Sequence, residues 1–140
     1  MRILLDTNVV ISALLWRGTP HRLLEAIRQR PDVQLFSSPA LLEELADVLT
    51  RPSASKQLAL IGRTAREVLS DYLDAVELVE PIDVPRVVPG DVDDDQVIAA
   101  AVAAQVDLIV SGDRKHLLPL GRHQGMPIVD AAEAAKRVAG

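Results

Sequence analysis

The chemistry available to this chain lies in its acids, and two of the segments that carry them share one form. Asp6-Thr7-Asn8 follows the apolar run Ile3-Leu4-Leu5, and Asp113 closes Leu108-Ile109-Val110-Ser111-Gly112. A carboxylate that ends a buried strand stands beyond the carboxyl edge of the sheet, where open α/β sheets bind ligands. An Asp in front of a helix is also an ordinary N-cap, its oxygen satisfying an orphan helical N–H, so Asp6 by itself admits both roles. A third segment weighs toward chemistry. Asp91, Asp93, Asp94 and Asp95 precede a helix expected from Gln96 to Gln105. Asp93 suits the cap and first-turn carboxylates suit the helix dipole, but four acids in five residues exceed what a helix start requires. Asp94 stands three and four residues before Val97 and Ile98, in line with the core-facing stripe that Ala101 and Val102 continue. Asp95 falls about 90° further round.

A fourth acid comes from a helix expected over Ala40 to Thr50. Leu41, Leu42, Leu45, Val48 and Leu49 form its apolar stripe, Glu43 and Asp47 lie opposite, and Glu44 lies on the flank. Glu44 is therefore the half-buried acid of this helix, although a solvated helix charge is the common fate of a single Glu.

The elements that must position these groups alternate. Strands are expected at Ile3–Leu5, Val33–Phe36, Val76–Val79, from Asp107 onward and at Pro127–Val129. Helices are expected up to Leu15 and over His21–Arg30, Ala40–Thr50, Thr64–Ala75, Gln96–Gln105 and Ala131–Val138. Pro20 suits a first helical turn and Ser38-Pro39 a helix start. Pro52 to Lys56 reads as a loop, Leu58 to Ile61 as a short helical turn, and the stretch through Pro89-Gly90 as a Pro- and Val-rich connection. Such alternation gives an α/β fold, a central parallel sheet with helices on its faces. Trp16 and His21 read as packing or surface residues, since neither has a partner at metal-ligand spacing.

With 140 residues, 49% hydrophobic and only one Trp, one Tyr and one Phe, the expected form is a single domain with a core of Leu, Val, Ile and Ala. The absence of cysteine excludes a disulfide framework and any thiolate metal site. No leader pattern or membrane-spanning stretch is evident, so the expectation is a soluble, cytoplasmic protein with no membrane partner. A net charge of -5 opposes phosphate neutralisation by protein cations alone, so nucleic acid would be held with the help of bound cations.

Asp6, Asp94 and Asp113 at one sheet edge, joined by Glu44, cannot all stay ionised without compensation. Oxygen ligands with neither His nor Cys among them select Mg²⁺ or Mn²⁺. One or two such ions activate water and stabilise an in-line phosphodiester displacement, which makes hydrolysis of a nucleic-acid backbone the expected reaction. Arg17, Arg51, Arg114, Lys115 and Arg122 fall on expected loops or element ends and offer phosphate contacts, beside the ordinary role of solvated surface charges.

Asp6-Thr7-Asn8, Glu44-Leu45 within the segment Ser38 to Pro52, Asp91-x-Asp93-Asp94-Asp95 before an Ala-rich helix, and Ser111-Gly112-Asp113 together resemble the PIN domain. More narrowly they resemble the PIN toxins of bacterial toxin–antitoxin systems, the VapC-like ribonucleases. The resemblance runs from Met1 to about Val129. It implies a three-layer α/β/α, Rossmann-like fold and a Mg²⁺- or Mn²⁺-dependent endoribonuclease. By position, Asp6, Glu44, Asp94 and Asp113 match the family's metal-site acids, and Asn8 and Ser111 match supporting polar positions. Ser111 stands where the family more often has Thr, and the hydroxyl is kept. Asp93 and Asp95 remain open as sharers of the metal. The resemblance also implies a homodimer and a cognate antitoxin that covers the acidic cleft.

Three other readings compete. A PIN domain without turnover would act as an RNA- or protein-binding module, and a housekeeping nuclease would process RNA without toxicity. A signalling receiver also combines an α/β sheet with acids and Mg²⁺, but needs a phosphoacceptor Asp after its third strand. Here that strand ends at Glu80-Pro81.

Overall fold

The computed structural model describes residues 1–82 and 92–139. Its elements are β1 (Arg2–Leu5), α1 (Thr7–Leu15), α2 (Thr19–Arg28), β2 (Gln34–Ser37), α3 (Pro39–Leu49), α4 (Pro52–Ile61) and α5 (Ala65–Ala75). They continue with β3 (Val76–Leu78), α6 (Val92–Ala104), β4 (Leu108–Val110), α7 (Leu117–Leu120), β5 (Arg122–His123), β6 (Met126–Val129) and α8 (Ala131–Ala139). The six strands form one sheet in the order β3-β2-β1-β4-β6-β5. All neighbours pair in parallel except β5 with β6, so the expected parallel sheet carries one antiparallel edge strand.

Strand periodicity explains the three layers. Ile3 and Leu5 of β1, Leu35 of β2, and Leu108 and Val110 of β4 join α1, α2, α5 and α8 in one buried cluster. The intervening Leu4, Phe36 and Ile109 face the other way, onto Val97, Ile98, Ala100, Ala101 and Ala104 of α6 and Leu117 of α7. Successive side chains of a strand point to opposite faces, and strands covered on both faces become continuous apolar runs. The small alanines of α6 let that helix lie close on the sheet.

Helix α3 divides its apolar stripe between the layers. Leu41 belongs to the cluster under α6, whereas Leu45 and Leu49 belong to the cluster under α1. Ser38 caps this helix by accepting from the Leu41 backbone N–H at 3.3 Å, with Pro39 in its first turn. Thr64 and Glu67 form a reciprocal capping box at the start of α5, which buries Val68 and Tyr72.

Two expected boundaries are corrected. Pro52 to Lys56 is helical, not a loop: Pro52 takes the first-turn position, Ala54 and Leu58 bury one helical repeat apart, and the helix ends at Gly62 in the left-handed conformation (φ 69°). Asp93 is not the cap of α6, because the helix already begins at Val92 and contains Asp93, Asp94 and Asp95 in its first turn. The connection expected through Pro89-Gly90, and Asp91 with it, lies outside the described residues. Among the described residues no helix is long and apolar enough to cross a membrane.

Candidate functional site

The strand order reverses direction between β1 and β4: β1 is followed outward by β2 on one side, while β4 lies on the other. This is the switch point of the sheet, the place where loops leaving adjacent strands part and open a crevice. The register Leu5↔Val110 sets Asp6 beside Ser111 at its lip, and the Asp6 N–H donates to the Val110 carbonyl at 2.9 Å.

Asp6 occupies the N-cap position of α1 but makes no side-chain cap bond. Its carboxylate instead accepts the Ser111 hydroxyl at 2.8 Å. The same hydroxyl oxygen accepts the Asp113 backbone N–H at 2.9 Å. Ser111 is wholly buried and therefore holds two of the acidic segments to one another. Asp6 is itself buried, and burial raises its pKa above the ordinary carboxylate value. The Ser111 bond and the nearby Thr7 and Asn8 backbone amides oppose that rise, while the charge of Asp113 adds to it.

Asp113 is fixed from below. Its Oδ1 accepts the backbone N–H groups of Lys115 at 3.0 Å and His116 at 3.1 Å, which folds Ser111 to His116 into a tight loop. That leaves Oδ2 directed to the His116 imidazole, 3.5 Å from Nδ1. A side-chain hydrogen bond from Asp94 is the main cause that holds the Asp113 carboxyl down at about 2, with the Lys115 and His116 amides adding to it. Asp94, on the first turn of α6, has its own Oδ2 3.5 Å from the same His116 Nδ1. One ligand atom from each of Asp94, Asp113 and His116 lies within 4.8 Å of the others.

Sequence reasoning placed Asp6, Asp94, Asp113 and Ser111 at this edge and missed His116. The sequence suggests a set of oxygen ligands without histidine, whereas the structure puts an imidazole between two of the acids. The available signal was its spacing, three residues after Asp113 in a segment opened by Ser111-Gly112. Asp95 is fully buried beside Asp94, although the wheel turned it away from the core face. Ile98 and Ala99, three and four residues further on the same face, are buried too, so α6 is covered on the side of Asp95 as well as on that of Asp94.

Glu44 is half-buried, as its flank position implied. It rides on α3, which leaves the carboxyl end of β2 and packs against both α1 and α6, the helices that begin at Asp6 and carry Asp94. Glu44 is not among the three residues whose ligand atoms converge. Asn8 is exposed and lines a cleft of about 320 Å³ with Ser12, Thr19, Ser111, Gly112 and Asp130. Arg114 and Lys115, both exposed, adjoin Asp113; Arg17, Arg51 and Arg122 are exposed elsewhere, and Arg51 pairs with Asp47 at 3.2 Å. Trp16 is exposed, and His21 Nδ1 lies 3.1 Å from the Ala13 carbonyl, in keeping with surface and packing roles.

The Ser111 link makes a quantitative expectation. Ser111→Ala leaves a buried Asp6 oxygen and the Asp113 N–H without this partner, a loss of about 1–3 kcal/mol. The urea midpoint of the variant should fall accordingly; a midpoint equal to the parent's would remove Ser111 from this structural role.

The family described as PIN domain matches residues 2–115. Among solved structures, the crystal structure of VapBC2 from Rickettsia felis bound to a DNA fragment from their promoter contains a chain similar in fold, with a TM-score of 0.61 at 15% identity. The alignment covers 93% of this chain and 98% of that one. No curated protein matches the chain. The family match takes in Asp6, Glu44, Asp94, Ser111 and Asp113, stopping one residue short of His116, and the chain belongs to the PIN domain family.

Proposed function

We propose that this protein is a divalent-cation-dependent endoribonuclease, hydrolysing RNA phosphodiester bonds, and the toxin of a toxin–antitoxin pair. The observation that carries the reading is the convergence of Asp94 and Asp113 within 4.8 Å of a third ligand atom, beside the buried Asp6, at the switch point of a PIN sheet. The donor chemistry fits a cation. Two carboxylates and an imidazole face one another, and the buried Asp6 carries a charge that its surroundings disfavour until a positive partner is present.

Asp94 and Asp113 would hold the ion, with Asp6 and Glu44 completing its acidic surroundings; Asn8, Ser111 and Asp95 would support them. Mg²⁺ or Mn²⁺, when bound, supplies a more acidic water and stabilises charge on the phosphoryl oxygens. The chain's own contribution is positional. Ser111 fixes Asp6 relative to Asp113, the Lys115 and His116 amides fix the Asp113 carboxylate, and the cleft beside Asn8 offers a path for the RNA strand. Arg114 and Lys115 stand next to Asp113 where they can meet phosphates, a counterweight to the net negative charge.

We treat residues 1–140 as one PIN unit, since β6 joins the sheet through β4 and α8 packs on α2 although both follow the matched span. An antitoxin partner is supported by the VapBC2 likeness. The cytoplasm is the proposed site of action, and a homodimer the proposed form.

The test is cleavage of a mixed structured and single-stranded RNA pool by antitoxin-free protein in Mg²⁺, Mn²⁺ or EDTA. Cutting in either metal and none in EDTA is expected. Intact RNA under every condition would overturn the nuclease reading and leave a binding module, which a gel-shift with the same pool would then display. Cutting without growth arrest on expression would favour a housekeeping nuclease over a toxin.

A further inference from the structure

We propose that His116 is a direct ligand of the cation through Nδ1, and that this chain's site therefore prefers a first-row transition ion such as Mn²⁺ to Mg²⁺. The inference rests on the proposed metal site but not on RNA being the substrate.

The geometry separates this role from a plain ion pair. His116 Nδ1 is 3.5 Å from Asp94 Oδ2 and 3.5 Å from Asp113 Oδ2. Both distances exceed the roughly 2.7–3.2 Å of an N–H···O hydrogen bond, and Nδ1 carries at most one proton to offer. An imidazole set to pair with one acid would move toward it. Equal spacing from two oxygens instead suits three atoms arranged about a common centre. Two ligand atoms at right angles, each about 2.1 Å from an ion, stand about 3 Å apart, near the 3.5 Å from Nδ1 to each oxygen, and the three atoms all lie within 4.8 Å of one another.

The surroundings hold that arrangement. The His116 N–H donates to Asp113 Oδ1, so the residue that supplies one carboxylate also fixes the backbone of the imidazole. Leu117, the next residue, is fully buried in the cluster under α6 and anchors the far side of the loop. The His116 side chain remains 38% exposed, open to an entering ion.

Donor chemistry sets the selectivity. Mg²⁺ favours oxygen and gives up its waters reluctantly, whereas imidazole nitrogen suits the first-row divalent ions. One nitrogen among carboxylates thus tilts a site that acids alone would leave suited to either ion.

The test uses the full chain loaded with Mn²⁺ and read by pulsed electron paramagnetic resonance, in which a directly bound nitrogen modulates the echo. Histidine labelled with ¹⁵N should change that modulation in the parent, and His116→Asp should abolish it. By calorimetry, His116→Ala should weaken Mn²⁺ binding at least about tenfold and Mg²⁺ binding less, and His116→Asp should recover Mg²⁺ binding. Bound Mn²⁺ without nitrogen coupling, or equal losses for the two ions, would overturn the assignment. Nitrogen-coupled Mn²⁺ in a protein that cuts no RNA would sustain the ligand and sink the nuclease reading. Cleavage with no nitrogen coupling would do the reverse.

Discussion

Asp94→Asn is expected to lower RNA cleavage by about 10²–10³-fold with little change in the fold. Asp94 is 6% exposed, hydrogen-bonds with Asp113 and lies 3.5 Å from His116, so it meets both of the other convergent groups. Asparagine keeps its shape and, through its amide N–H, can still donate to Asp113. The carboxyl of Asp113 consequently stays ionised in the variant. What disappears is one negative charge at the cation, and with it the charge stabilisation expected of the ion. The checking measurement is kcat/KM in Mn²⁺ beside a thermal melt. Activity within a few-fold of the parent, still abolished by EDTA, would remove Asp94 from the proposed ligand set.

Asp6→Asn is expected to lose cleavage on a similar scale and yet to raise the melting temperature of the metal-free protein. Burial is the chief cause that lifts the Asp6 pKa, with the charge of Asp113 adding to it. A carboxyl whose pKa is higher in the folded than in the unfolded chain contributes stability below its unfolded value, near 3.8, and that contribution is lost as pH rises through the folded value. At neutral pH the ionised carboxylate is therefore a liability, and asparagine removes it while keeping an oxygen for the Ser111 hydroxyl. A gain of about 0.5–2 kcal/mol is typical of such repairs, and each kcal/mol is worth about 2–4 °C for a chain approaching this size. Acidification toward the folded pKa should narrow the gap between parent and variant. Saturating Mn²⁺ should reverse their order, because an ion bound only by the folded state stabilises the parent more. A variant that melts below the parent in EDTA would mean that the carboxylate contributes more by its hydrogen bonds than burial costs it.

Much of this arrangement is written in short-range pattern. Ile3 to Leu5 and Leu108 to Val110 are apolar runs of strand length, and each leads directly into polar site residues, so Asp6, Ser111 and Asp113 could be placed before any contact was known. The Leu41, Leu45 and Leu49 spacing likewise gave α3 and set Glu44 on its flank, though not that the stripe is shared between two layers. His116 was invisible for a different reason. Its meaning depends on Asp94, 22 positions earlier on another element, and no local periodicity encodes the approach of α6 to the loop after β4. Helix α4 was obscured by Pro52, Ser53 and Ser55, which resemble loop residues until tertiary burial of Ala54 and Leu58 favours the helix. The two-residue strand β5 is too short for any alternation to register.

The pairing of β1 with β4 also bears on when the site can exist. Asp6 leaves the ribosome well before its partners: the strand that supports it and the residues that converge with Asp94 come more than a hundred positions later. Contacts of such sequence separation form late, because the intervening chain must be brought together before pairing rewards it. A ribosome-bound fragment ending before β4 has neither Ser111 nor Asp113 nor His116, and so has no convergent ligand set. Parallel pairing at the switch point thus acts as a timer: a chain that cuts RNA would stay harmless to the message encoding it until β4 and the loop after it have been made.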